Sequence, residues 1–138
     1  MAQAREHSTL SPSVMTNILQ ILLVLVALIC VVVSQKLLRS GSKLFQTATE
    51  PLNKGLDNLL RFFGGLILGF SILCVWASVC ISEQADVISL IGVVLLLAAF
   101  GRLLSTQTVG APPPPRGLFM WAEFVLGTSI IALQYLRG

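Results

Sequence analysis

Polar and apolar positions in this chain do not alternate as in a half-buried strand, nor recur every three to four residues as on a soluble helix; they segregate into long apolar runs joined by short polar connections. A bilayer core of about 30 Å needs roughly 20 mostly apolar residues per helix. Four runs meet this length, at about 14–34, 62–82, 87–104 and 118–136. The heart of the first, 21–33, has no polar side chain other than Cys30. The fourth contains Glu123, and an acidic residue at a helix centre opposes insertion by about 2.5–3.5 kcal/mol, whereas each Leu, Ile, Phe or Val favours it by about 0.3–0.6. Leu118, Phe119, Phe124, Val125, Leu126, Ile130, Ile131, Leu133 and Leu136 together supply on the order of 4 kcal/mol on that scale, and Glu123 sits off-centre, so the run is predicted to span. The pattern predicts an all-α membrane protein: a polar tail over 1–13 and a four-helix transmembrane bundle over 14–138.

Composition agrees. Of 138 residues, 55% are hydrophobic and 11% charged, with mean hydropathy +0.88, against about 25% charged in soluble domains. A chain this short leaves no room for a separate catalytic domain beside its spans. Cys30, Cys74 and Cys80 lie in apolar runs without metal-type spacing, and the single histidine, His7, is in the polar tail. A metal site and paired-histidine haem ligation are therefore not expected, no cofactor is expected, and the thiols are assigned to packing. A secretory signal reading of the first run, with Ser34 near a cleavage point, conflicts with its basic flank: Lys36, Arg39 and Lys43 follow the run, while Arg5 before it is offset by Glu6. A retained anchor is expected.

The basic residues set orientation, because Lys and Arg in short loops stay cytoplasmic. Lys36, Arg39, Lys43, Lys54 and Arg61 lie between the first two spans, and Arg102 and Arg116 flank the connection between the last two. The opposite side carries Arg5 and Arg137, with Glu83 and Asp86 in its short loop. Both termini are thus expected outside the cytoplasm, in an inner membrane. The net charge of +3 is accounted for by these loops, and no basic patch interleaved with aromatics points to nucleic acid.

Two arrangements fit the segment after the first span. Leu37, Leu38, Gly41, Leu44 and Phe45 share a face opposite Lys36, Arg39, Ser40 and Lys43, as in a short interfacial helix on anionic lipid; equally, the first helix simply overshoots the bilayer. Thr49, Glu50 and Pro51 then read as a new helix start, with Leu52, Leu56, Leu59, Leu60 and Phe63 continuing an apolar stripe. Pro112 to Pro115 form a stiff, helix-breaking spacer.

Placed by depth, Arg61, Arg102 and Glu123 fall at one membrane level near the cytoplasmic face. Charges in hydrocarbon normally face the bundle interior and find partners, so Glu123 is expected to meet Arg102, Arg61 or both. Asp57, four residues before Arg61, can also pair with it. Asn58 and Arg61 share a face with Gly65 and Gly69, a small-xxx-small pair that favours close helix approach. Ala98 and Ala99 lie a turn from Arg102, and Gly127 a turn from Glu123. An inward polar cluster of Asn58, Arg61, Arg102 and Glu123, roofed by these small residues, is the candidate ligand site; a structural ion pair that sets helix register is its plainer reading. Asn17, Gln20 and Gln134 are expected to be solvated at the outer interface, Ser71, Ser78, Thr128 and Ser129 to bond back within their own helices, and Trp76 and Trp121 to pack or anchor in the membrane.

The stretch Asn58-Leu59-Leu60-Arg61-Phe62-Phe63-Gly64-Gly65 with Gly69, then Phe100-Gly101-Arg102-Leu103-Leu104-Ser105, Gly110, Pro112 and an acidic residue early in the last helix, Glu123, resembles a family of small bacterial four-helix membrane proteins classed as a domain of unknown function. The resemblance covers the chain beyond about Ser13. It implies a four-helix inner-membrane bundle, marks Arg61, Arg102 and Glu123 as positions of interest, and carries no activity. The long basic connection from Gln35 to Lys54 and the four prolines depart from the family pattern and suit docking to a partner.

No nucleophile, base and orienting group assemble from the remaining residues, and no enzyme activity is expected. The expected role is to bind a lipid, an anionic headgroup included, or a membrane-protein partner. An accessory subunit of a larger bioenergetic or transport complex, or a homo-oligomer, is the alternative. A proton-coupled carrier using Glu123 ranks third, since neither half-repeats nor interrupted helices are evident.

Overall fold

The structure, a computed structural model, describes residues 11–41, 54–109 and 116–137. Over these residues the chain forms four helices, α1 (Pro12–Ser40), α2 (Lys54–Val79), α3 (Ala85–Val109) and α4 (Arg116–Arg137), and no strand. All four are long and apolar enough to cross a membrane.

The helix ends follow from local chemistry. Ser11 caps α1: Val14 N donates to Ser11 Oγ at 3.4 Å and to Ser11 O at 3.0 Å, while Pro12, which has no N–H to leave unpaired, takes the first helical position. Gly41, at φ +49°, closes the other end in the left-handed conformation that glycine adopts without a Cβ penalty. Because α1 is unbroken through Ser40, residues 35–40 belong to an overshooting first helix and not to a separate interfacial one. The helix start at Thr49 and the proline spacer lie outside the described residues. Helix α2 runs from Lys54 to Val79, so it precedes the span expected from 62, in keeping with the stripe that leads into that span, and it stops short of 82. Hydropathy marks the length suited to hydrocarbon, whereas backbone hydrogen bonds carry a helix on into its polar flank. A turn over Cys80–Glu83 follows, with Glu83 N donating to Cys80 O at 3.0 Å.

The chain divides into two compact units, Met1–Leu22 with Ala77–Gly138, and Leu23–Trp76. In the second, Ser34 Oγ donates to Gly64 O at 2.8 Å and Ser71 Oγ to Ala27 O at 3.1 Å. Ser71 therefore bonds across helices, not back along its own. Such interhelical bonds average about 0.6 kcal/mol in membranes. Close approach occurs at Gly64, where a Cβ would lie 3.0 Å from Leu38 Cγ and 3.1 Å from Leu37 Cβ. Gly64, Ser71, Cys74 and Ser78 are buried at helical spacing. Gly65 and Gly69 sit on the other side of α2, where a Cβ meets no heavy atom within 4 Å. The expected packing pair is thus corrected by one residue, which turns the face by about 100°.

In the first unit α3 and α4 touch backbone to backbone. A Cβ on Gly127 would lie 2.9 Å from Gly92 O, and one on Gly92 would lie 3.1 Å from Gly127 O and 2.6 Å from Ile131 Cγ1. Ile88, Ile91, Leu95 and Ala99 form the buried stripe of α3, and Gly127, Ile130 and Gln134 that of α4. Polar side chains serve the carbonyls around the end of α2: Gln20 Nε2 donates to Ser78 O at 2.9 Å, and Arg137 Nη2 to Ile81 O at 2.7 Å. Gln20 is accordingly a structural donor and not merely solvated. Gln134 is 9% exposed and its Oε1 has no hydrogen-bond partner among the described residues.

Candidate functional site

Helix side chains lean toward their own N-terminus. In the antiparallel pair α3 and α4, this tips Arg102 back toward the Gly92–Gly127 crossing and Glu123 away from it, so the two side chains reach each other although their Cα atoms stand at different distances from that crossing. Arg102 is ten residues from Gly92, about 15 Å along α3, and Glu123 is four from Gly127, about 6 Å along α4. The result is a bidentate ion pair: Arg102 Nε donates to Glu123 Oε2 at 2.8 Å and Arg102 Nη2 to Oε1 at 3.0 Å. The carboxylate is largely covered, at 20% side-chain exposure, whereas the arginine is 52% exposed. Two parallel N–H···O bonds fix the guanidinium plane as well as its position. Arg102 has five N–H donors, and among the described residues its Nη1 has no acceptor.

Between α3 and α4 lies a cavity of about 410 Å³, lined by residues that neighbour Arg102 and Glu123 in sequence. Its walls include Leu97, Phe100 and Leu103 from α3, and Met120, Trp121 and Phe124 from α4. Trp121 and Phe124 meet edge to face, with centroids 6.5 Å apart and an interplanar angle of 84°, an orientation that suits their ring quadrupoles. Leu97, Phe100, Trp121 and Phe124 are exposed, so the cavity is a groove open along the side of the helix pair. The volume lies within the usual range for small-molecule sites, about 300–1,000 Å³.

Arg61 is engaged differently. Its Nε donates to Asp57 Oδ2 at 2.8 Å and its Nη1 to Leu38 O at 2.6 Å, so it caps the C-terminal end of α1, where a cation complements the helix dipole. Gly41 belongs to the same corner, since a Cβ there would overlap Asp57 Oδ1. Asn58, beside Asp57, is exposed. Of the small residues expected near the site, Ala99 is buried and lines the groove, Ala98 is exposed, and Gly127 makes the backbone crossing. Arg102 and Glu123 are therefore brought together, while Arg61 and Asn58 belong to the α1–α2 corner. The aromatic groove and Gly92 were missed from sequence. Gly92 stands seven residues before Ala99 on one helical face, and that small-residue spacing was the available signal. Among the described residues no group of three or more His, Cys, Asp or Glu could hold a metal ion.

Neither the curated proteins nor the solved structures gave a match. The family model described as Domain of unknown function (DUF4345) matches residues 18–134. That range takes in all but the ends of the helices, including Arg61, Arg102 and Glu123, and the chain belongs to this family of proteins of unknown function.

Proposed function

We propose that this protein acts by binding and not by catalysis, and that it holds a membrane lipid at the Arg102–Glu123 pair. The observation that carries the reading is the pair's asymmetry. A largely covered carboxylate orients a half-exposed guanidinium whose remaining donors are directed away from it. An arginine recruited only to neutralise Glu123 would have no need of a neighbouring aromatic groove, and the groove supplies the apolar counterpart that a lipid requires. Retention of phospholipid tests the proposal. Native mass spectrometry of the detergent-extracted protein is expected to show bound phospholipid in wild type and its loss in Arg102→Gln/Glu123→Gln, which keeps both positions polar and leaves no lone charge. Equal lipid content in the two proteins would overturn the reading.

The same proposal places the pair on the cytoplasmic side of an inner membrane, with both termini outside. Support comes from Lys36, Arg39, Lys54 and Arg61 between the first two spans and Arg102 and Arg116 around the next connection on that side. Alkaline phosphatase fused after Gly138, which matures only outside the cytoplasm, is expected to be active in a bacterial host. An inactive phosphatase, with a fluorescent protein folding at the same position, would reverse the orientation.

A further inference from the structure

We infer that the corner where α1 ends and α2 begins is a docking surface for anionic lipid headgroups, which it recruits through Lys36, Arg39 and Lys54. The surface belongs to the unit Leu23–Trp76 and needs no lipid at the Arg102–Glu123 pair.

The net charge of the whole chain comes from this corner. Across residues 35–61 five basic residues, Lys36, Arg39, Lys43, Lys54 and Arg61, face two acidic ones, Glu50 and Asp57, an excess of three that equals the formal charge of +3 for the full sequence. Elsewhere four basic and four acidic residues cancel. Arg61 is engaged by Asp57 Oδ2 and Leu38 O. Lys36, Arg39 and Lys54 are exposed and, among the described residues, enter no salt bridge. Like charges gathered at one corner repel one another, and an anion placed among them removes that cost.

The helix ends put these cations at headgroup depth. Helix α2 begins eight residues before the span expected from 62, about 12 Å along its axis, and α1 continues six residues, about 9 Å, beyond Ser34. The polar layer on each face of a bilayer is roughly 5–8 Å thick, so both ends reach through it. Two contacts hold them together: Arg61 Nη1 donates to Leu38 O, and Gly41 lies against the Asp57 carboxylate.

The apolar neighbours decide what kind of partner fits. Leu56, Leu59 and Phe62 are exposed on the first turns of α2, at 38%, 49% and 60%. Whatever covers this corner must be apolar along the helix and anionic at its end. An anionic lipid leaflet has that profile, whereas an acidic soluble protein would leave the leucines and the phenylalanine unmatched. The aliphatic stems of Lys36, Arg39 and Lys54 can lie along the same apolar surface while their charges stay in the headgroup layer. Each such cation favours an anionic headgroup by about 1 kcal/mol, equivalent to about fivefold enrichment.

A tryptophan at the corner tests this directly. In the Trp76→Phe/Trp121→Phe background, Leu59→Trp supplies the chain's one indole beside these cations, and bromine on an acyl chain quenches indole only on contact. Vesicles of dioleoylphosphatidylcholine would carry a small mole fraction of either dibromo-phosphatidylglycerol or dibromo-phosphatidylcholine. The expected result is enrichment of the glycerol lipid at position 59 by about fivefold over the choline lipid. That ratio should fall to about one in Lys36→Gln/Arg39→Gln/Lys54→Gln, which changes only exposed side chains and keeps the Asp57–Arg61 pair. Raising salt from about 0.1 M to about 1 M, which shortens the screening length from about 10 Å to about 3 Å, should lower the ratio without any change to these three cations. Arg102→Gln/Glu123→Gln should leave it unaltered. A ratio near one at low salt would overturn the inference, as would a preference that survives the triple substitution or one that disappears with Arg102 and Glu123 while the corner is intact.

Discussion

Replacing Gly127 by leucine is expected to cost about 3 kcal/mol or more of folding stability, the largest effect of any single substitution proposed for this chain. A Cβ at Gly127 would be 2.9 Å from the carbonyl oxygen of Gly92, and that oxygen is fixed by the backbone of α3. Helices in lipid associate by packing and not by hydrophobic exclusion, so pushing α3 and α4 apart removes the contact that holds them. Gly127→Ala is expected to cost about 2 kcal/mol, within the range for overpacking a fitted interior. Gly69→Ala provides the contrast. Its added methyl meets nothing within 4 Å, and replacing a helical glycine gains up to about 1 kcal/mol in propensity. Sodium dodecyl sulfate titration of the protein in mixed micelles, read by tryptophan fluorescence, measures all three. Equal tolerance at positions 127 and 69 would show that the crossing does not hold the pair.

Removing Arg102 while leaving its partner is expected to have the next largest effect. Arg102→Leu strands a carboxylate with 20% exposure, and an unpaired acidic group within a span costs about 2–3 kcal/mol. Glu123→Leu should cost less, about 1 kcal/mol, because Arg102 is half exposed and can turn outward to the headgroup layer. The double change, Arg102→Leu/Glu123→Leu, is expected to return to within about 1 kcal/mol of wild type, as buried ion pairs replaced by apolar residues often do. The same titration gives these values. If Arg102→Leu and Glu123→Leu prove equally harmful and additive, the pair contributes no coupling and the asymmetry on which the binding proposal rests is absent. Lost lipid in the stable double variant would also separate binding from stability, since only the former needs the charge.

Arg102 and Glu123 illustrate what was legible at the site. Each is an ionic residue in an otherwise apolar run, so the cost of leaving either alone in hydrocarbon pointed to a partner, and depth narrowed the choice to Arg102 or Arg61. Arg61 had a second option that depth does not rank: Asp57 one turn earlier and a helix end to cap, both taken in the structure. Ser71 shows a related ambiguity. A serine in a helix can return its hydrogen to its own backbone, and only the nearness of Ala27 O decides for the neighbouring helix. The groove was invisible for a different reason. Leu97, Phe100, Trp121 and Phe124 resemble every other exposed apolar residue in the chain, and the space between them is set by how α3 packs against α4.

The chain's order of residues by itself determined four spans, the absence of a soluble surface, and the expense of Glu123, since transfer into a bilayer is a sum over consecutive residues and needs no knowledge of neighbours. Which side of each helix meets another was decided only by the tertiary structure. Hydrocarbon outside is as apolar as the protein inside, so burial leaves no hydrophobic stripe, and a shift from Gly65 to Gly64 turns the packed face by about 100° without changing the hydropathy of the span.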